Sequence, residues 1–164
     1  MRMEMLDLIN EKDKVIGKAT RKEVNEKGLL YRCSGIYVLK NGLFLIQKRS
    51  ANKKIRPGNW SIVEETVKSG ETYEEAALRG VKEELGVKAS NLKFIGKKII
   101  NDTEYPDYFS MAVFICEIKE TPKIDKKEVE LVKMITKKDL IAMTNSEKKI
   151  TPTLMETLSF LGNA

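Results

Sequence analysis

Apolar positions along the chain fall mostly in short alternating or clustered runs separated by polar turns, a pattern that predicts strands more often than helices. Leu6 and Leu8 alternate, a polar stretch follows at Asn10–Lys14, and Val15 and Ile16 come next, so residues 4–24 read as a leading strand or hairpin. Tyr31–Leu39 is rich in β-formers and runs into Asn41-Gly42, a dipeptide suited to a two-residue hairpin that needs positive φ at both positions. Leu43–Arg49 then returns antiparallel. Ser50–Pro57 is a lysine-rich loop closed by Pro57-Gly58, and Trp60–Val63 is a short strand beyond it, leaving Glu64 and Glu65 on the loop that follows.

The period changes after Gly70. Thr72-Tyr73-Glu74-Glu75 is a capping-box sequence, so a helix is expected from Tyr73 to Leu85, stopping at Gly86. Ala77, Val81 and Leu85 make its apolar stripe. Gly80 and Glu84 form a second row with Glu83 beside it, so both acids are expected to project together from the last turn. Leu92–Ile100 and Tyr108–Ile118 read as strands around a loop at Asn101–Asp107, and Val129–Ile135 as another. Lys137–Met143 reads as a short helix, and Thr151-Pro152 opens an amphipathic stretch at Leu154–Leu161. With no linker or repeat, residues 1–164 form one domain, an α/β (α+β) sandwich around a mixed sheet.

The stretch from Glu64, EETVKSGETYEEAALRGVKEELGV, carries the most specific signal. Glu71, Arg79, Val81, Glu83, Glu84, Gly86 and Val87 stand at the spacing of the Nudix box, G-x5-E-x7-R-E-U-x-E-E-x-G-U, with U a bulky aliphatic residue. Five of those matches demand Glu, Arg or Gly, so chance agreement at one register is about 10⁻⁶. Two defined positions differ: Glu65 replaces the leading glycine and Gly80 replaces the glutamate after the arginine. Leu43–Arg49 resembles the family's L-L-x-Q-x-R strand, and Glu128–Leu140 its E-V-x-x-x-x-W segment with Met134 for the tryptophan. The opening residues resemble the branch containing isopentenyl-diphosphate isomerase-like hydrolases, with a strand extension at about residues 4–28.

That resemblance implies an α/β/α sandwich around a mixed, largely antiparallel sheet. It also implies Mg²⁺- or Mn²⁺-dependent hydrolysis of a nucleoside diphosphate linked to a further group, and often a homodimer. Glu71 and Arg79 correspond to the family's structural pair, Gly86 to the glycine closing the helix, and Glu83 and Glu84 to metal ligands and catalytic acids. Hard cations take oxygen ligands, which carboxylates provide. Gly80 cannot ligate, and glycine costs about 1 kcal/mol relative to alanine inside a helix. Glu64 and Glu65 are candidates to restore the lost charge at the metal. Arg49 is the favoured phosphate-binding cation, and Glu128 an additional carboxylate. A second reading stays open, in which the chain is a non-catalytic module binding a nucleotide or a protein partner. The isomerase activity itself needs histidine ligands and a cysteine after the tryptophan strand, both missing here.

Composition narrows the classes further. The absence of histidine removes imidazole-based zinc sites and a Ser-His-Asp triad. Cys33 and Cys116 lie in apolar runs and read as small buried hydrophobes, not as a disulfide or ligands. The net charge of +6 comes chiefly from scattered lysines, which favours a solvated surface with some attraction for phosphates over a nucleic-acid reader. The charged opening lacks the apolar core of a signal peptide and no apolar run could span a bilayer, so the expectation is a cytoplasmic protein acting on a diphosphate-containing small molecule.

Overall fold

At the N-terminus, alternation closes a hairpin in which β1 (Met5–Ile9) pairs antiparallel with β2 (Val15–Thr20). The structure, a computed structural model, describes residues 3–147 and 149–163. A helix, α1 (Arg21–Lys27), follows directly where the sequence reading expected only strand extension. It is seven residues long and buries Val24 alone, so no apolar stripe announces it. What starts it is a capping box in which Thr20 accepts from the Glu23 amide while the Glu23 carboxylate accepts from the Thr20 amide.

β3 (Tyr31–Lys40) and β4 (Leu43–Arg49) meet through Asn41 and Gly42, whose φ values of 52° and 78° are those a two-residue hairpin requires. The expected strand at Trp60–Val63 is instead two: β5 (Trp60–Ser61) on β4 and β6 (Val63–Thr66) on β3. Glu64 and Glu65 are therefore strand residues. After α2 (Tyr73–Leu85), β7 (Ser90–Asp102) and β8 (Asp107–Glu117) form a long hairpin; the expected seven-residue loop shrinks to the turn at 103–106. β9 (Val129–Ile135), α3 (Lys137–Ser146) and α4 (Pro152–Thr157) follow, and a 3-10 helix at Leu158–Asn163 replaces the second half of the expected C-terminal helix.

Among the described residues the second sheet has seven strands, all antiparallel neighbours except β3 and β8. It is forked. One edge of β3 pairs with β4 only at Val38–Lys40 and with β6 at Cys33–Ile36, while β4 continues onto β9 and β5. Each face carries its own core. On one, Ala77, Val81 and Leu85 of α2 pack on Ile36, Val38, Leu45, Val63 and Phe114. On the other, Leu140 of α3, Leu154 of α4 and Leu6 of β1 pack on Tyr37, Phe44, Ile46 and Met111. That arrangement is the expected α/β/α sandwich around a mixed sheet. Cys33 and Cys116 are buried free thiols, and burial pushes the Cys116 thiol up to about 12. No helix among the described residues is long and apolar enough to cross a membrane.

The hairpin is clasped to the core by two aspartates. Asp7 accepts from the Ser69 hydroxyl at 2.7 Å and the Gly70 amide at 3.1 Å, fixing the turn ahead of α2. Asp13 accepts from Arg32 Nε at 2.7 Å, Lys97 Nζ at 2.9 Å and the Tyr73 hydroxyl at 3.0 Å. Burial alone would raise the Asp13 carboxyl, but these donors outweigh it and hold it below the usual carboxylate range.

Candidate active site

The α2 helix is defined at both ends by its own sequence. Thr72 and Glu75 cap the start reciprocally, and Gly86 closes the end at φ 66°. A side chain at Gly86 would strain that left-handed backbone and meet the Lys123 carbonyl at 3.1 Å. Gly86 and the Glu71–Arg79 pair lie outside the cleft lining and act as framework.

Arg79 is the organising cation. Its Nε and Nη2 donate to the two Glu71 oxygens, both at 2.9 Å, and Nη2 also donates to the Thr66 carbonyl at 2.7 Å. Its Nη1 reaches Glu65 Oε1 at 3.1 Å and Glu83 Oε2 at 3.3 Å. One planar guanidinium thus joins the turn, the helix and the end of β6. The ion pair with Glu71, opposed by burial, holds the Glu71 carboxyl below its ordinary range.

The two departures from the box meet in space. A Cβ built on Gly80 would lie 2.8 Å from Glu65 Cβ and 3.2 Å from its Cγ. The near atom belongs to the stiff base of the side chain, so it has little freedom to move aside. Glu65 therefore fills the volume that a side chain at position 80 would take, and Gly80 is the space that admits it. An acid displaced from the helix has a counterpart on the strand facing it. Glu64, one residue earlier, points to the opposite face by strand alternation, so only one of the pair faces α2.

Glu83 and Glu84 also part company. Consecutive helix residues are about 100° apart, and here that separates solvent from interior. The Glu83 side chain is 54% exposed, whereas Glu84 turns under the helix, where Gln47 Nε2 donates to its Oε1 at 2.8 Å. Glu84 Oε2 is shielded from solvent and, among the described residues, has no hydrogen-bond partner, and neither has Gln47 Oε1. Burial, reinforced by the Glu65 and Glu64 carboxylates, pushes the Glu84 carboxyl up to about 8 despite the Gln47 donor. Burial raises Glu64 and Glu65 as well.

Glu64, Glu65, Glu83, Glu84, Arg49 and Glu128 all line one cleft of about 560 Å³ at the fork of the sheet. The fork is why Glu64 can share it from the other face. Arg49 Nε donates to the Ile55 carbonyl at 3.0 Å, and Glu128 pairs with Lys53. Gln47, Arg21, Asp107 and Arg56 also line the cleft. Gln47 stood in the strand motif, but nothing in that motif marked it as a partner for Glu84. Arg21 gave no sequence signal, because its helix was not expected. The Arg56 guanidinium forks onto Asp102 at 2.9–3.1 Å and lies over the Tyr105 ring, so Tyr105 serves this contact. Trp60 packs against the core.

A family model for the NUDIX domain matches residues 31–154. A Photorhabdus laumondii protein named isopentenyl-diphosphate Delta-isomerase 2 is 32% identical over 148 residues, covering 87% of this chain and 83% of that one. The chain belongs to the Nudix family. An uncharacterised Nudix hydrolase of Streptomyces coelicolor is 36% identical over 104 residues, 60% of this chain and 56% of its own length. Several bacterial Nudix relatives are spanned over only a little more than half their length, 52–57%. A Deinococcus radiodurans crystal structure superposes with a TM-score of 0.78 at 26% identity, covering 95% of this chain and 98% of that one.

Among the described residues no three carboxylate, thiol or imidazole side chains converge as a ready-made metal cage. The donor chemistry nonetheless suits a divalent cation. Glu84 presents a buried carboxylate oxygen with no partner, beside further acids whose mutual repulsion a cation would relieve. Arg79 holds two of those acids, Glu65 and Glu83, in the meantime.

Proposed function

We propose that the protein is a divalent-cation-dependent Nudix hydrolase that cleaves a phosphoanhydride in a small diphosphate-containing compound, a nucleoside diphosphate linked to a further group. The carrying observation is the exchange at positions 65 and 80, in which the acid missing from the helix has a counterpart in the same volume. Glu84, Glu65 and Glu83 would hold Mg²⁺ or Mn²⁺, with Glu64 adding negative charge from across the fork. When bound, such a cation neutralises the diphosphate and makes a water more acidic.

The chain's own groups prepare the site. Gln47 fixes the orientation of Glu84, and Arg79 orients Glu65 and Glu83. Glu84 keeps its proton at neutral pH until positive charge enters the cleft, since its carboxyl is pushed up to about 8 by burial and by its acidic neighbours. Arg49 offers guanidinium donors to phosphate oxygens. The isomerase named among the relatives is not the reading here, because this chain has no histidine and both its thiols are buried.

The test is release of phosphate or nucleotide monophosphate from ADP-ribose, NADH, dinucleoside polyphosphates, nucleoside triphosphates and isoprenoid diphosphates, each with Mg²⁺ and with Mn²⁺. Turnover that Glu84→Gln lowers by about 10²–10³-fold is the expected result, the scale for losing one preorganised electrostatic group. Silence across the panel would sink it. A binding module is the second reading, favoured by the engagement of Glu65 and Glu83 with Arg79. On that reading a nucleotide or protein partner binds wild type and Glu84→Gln alike.

A further inference from the structure

Four cations line the cleft: Arg21, Arg49, Lys53 and Arg56. Arg56 is taken up by Asp102 and Glu104, and Lys53 by Glu128. Among the described residues, Arg21 and Arg49 have no carboxylate within 4 Å, although the cleft floor is strongly acidic. Arg49 was the expected phosphate ligand; Arg21 comes from the segment that precedes the matched domain at 31–154.

Arg21 is exposed, yet it is anchored. Its Nη1 donates to the Thr66 hydroxyl at 2.5 Å, and Thr66 is the buried residue immediately after Glu65. The backbone around it is held as well: the Arg21 amide donates to the Glu4 carbonyl, and the Thr20–Glu23 capping box starts the helix at this point. Asp7 ties the same hairpin to the turn before α2. A guanidinium fixed by one hydrogen bond retains several N–H donors for a ligand. The two unpaired arginines belong to different branches of the fork, since β4 and β6 pair with separate stretches of β3. Arg21 is held on Thr66, the last residue of β6, whereas Arg49 ends β4 with its Nε on the Ile55 carbonyl.

We propose that Arg21 is an anion-binding residue of the cleft, taking phosphate oxygens on the flank opposite Arg49, so that the preferred substrates carry a chain of three or more phosphates. This rests on the hydrolase reading for the word substrate, but the anion site itself does not. A polyphosphate chain presents charge to both flanks at once. A diphosphate esterified at both ends by uncharged groups leaves one arginine without a partner. The segment ahead of the residues that the family model matches is then part of the binding site as well as packing.

The experiment is calorimetric binding of inorganic tripolyphosphate and of pyrophosphate, in Mg²⁺, to the whole chain and to its variants. Arg21→Gln should lower tripolyphosphate affinity about tenfold or more, the scale of a lost charge-assisted hydrogen bond, and pyrophosphate affinity less. Arg21→Lys and Thr66→Val, which keep the charge but lose the fork or its anchor, should fall between. Lys22→Gln removes the same charge from an exposed site on the same helix, paired with Glu26, and should change nothing. Unchanged tripolyphosphate affinity in Arg21→Gln, or an equal loss in Lys22→Gln, overturns the proposal. If wild type hydrolyses nothing while Arg21→Gln still loses affinity, the hydrolase reading fails and the anion site stands. If hydrolysis is present and Arg21→Gln leaves KM and affinity untouched, the anion site falls alone.

Discussion

The two ends of α2 treat their acids in opposite ways. Toward the start, Glu71 has both oxygens on one guanidinium, and that guanidinium also holds the strand carbonyl of Thr66. In the last turn, Glu84 has one oxygen on Gln47 and the other shielded and, among the described residues, unpaired, at the wall of the cleft. The first arrangement is what a fold does to stabilise itself. The second destabilises the ionised form, and a fold retains it where a ligand completes the set. One helix thus separates an end whose acid is fully paired from an end whose acid is not, thirteen residues apart between Glu71 and Glu84.

Removing the framework cation should have the largest effect. Arg79→Met leaves Glu71 and Glu65, both mostly buried, without their partner, and should cost about 3–5 kcal/mol in urea unfolding, as broken buried pairs do. A loss below about 1 kcal/mol, the range of exposed pairs, would erase the distinction between the two ends. Next comes the exchange. Gly80→Glu alone should destabilise by about 1–3 kcal/mol through overpacking against Glu65 Cβ. Combining it with Glu65→Gly should recover most of that, with a coupling of about 1–3 kcal/mol. Additive single effects would mean that the two positions do not share one volume.

Acidity sharpens the contrast further. Burial pushes the folded Glu84 carboxyl up to about 8, above its ordinary 4.5, so the native state holds a proton that the unfolded chain releases between those values. Metal-free stability should therefore fall as pH rises from about 4.5 to 8, by at most about 1.4 kcal/mol per unit, and Glu84→Gln should flatten the decline. Asp13 has the opposite sign. Its folded pKa lies below 3.8, so its contribution is present above that pH and is lost as the pH falls through the folded value. The smallest effect is expected at the rim: Lys53→Gln should shift stability by less than about 1 kcal/mol, because Glu128 is largely solvated.

What could be read in advance follows from where the information lies. The α2 boundaries at Tyr73 and Leu85 and the Asn41-Gly42 hairpin were legible because local chemistry decides them. So was the Glu71–Arg79 pair, whose box spacing matches the observed contact. Helix α1 was not legible, since seven residues with one buried side chain carry no period. Neither was the split of Glu83 from Glu84, which depends on what lies beneath the helix: Gln47 arrives from a strand 37 residues earlier. The displacement of an acid from position 80 to position 65 could be suspected from the box. That the two side chains compete for one space required the placement of β6 against α2.

The shared volume at Glu65 and Gly80 also constrains the order in which such a sequence can arise. From the common box, with glycine first and glutamate second, two changes are needed, and each is a single codon step between Gly and Glu. Making the strand glutamate first would put two acid side chains into a space whose Cβ positions lie 2.8 Å apart. Removing the helix glutamate first avoids the clash but leaves that volume without a carboxylate. The route of least strain therefore runs through a double-glycine ancestor, and the Glu65→Gly chain is a laboratory copy of it.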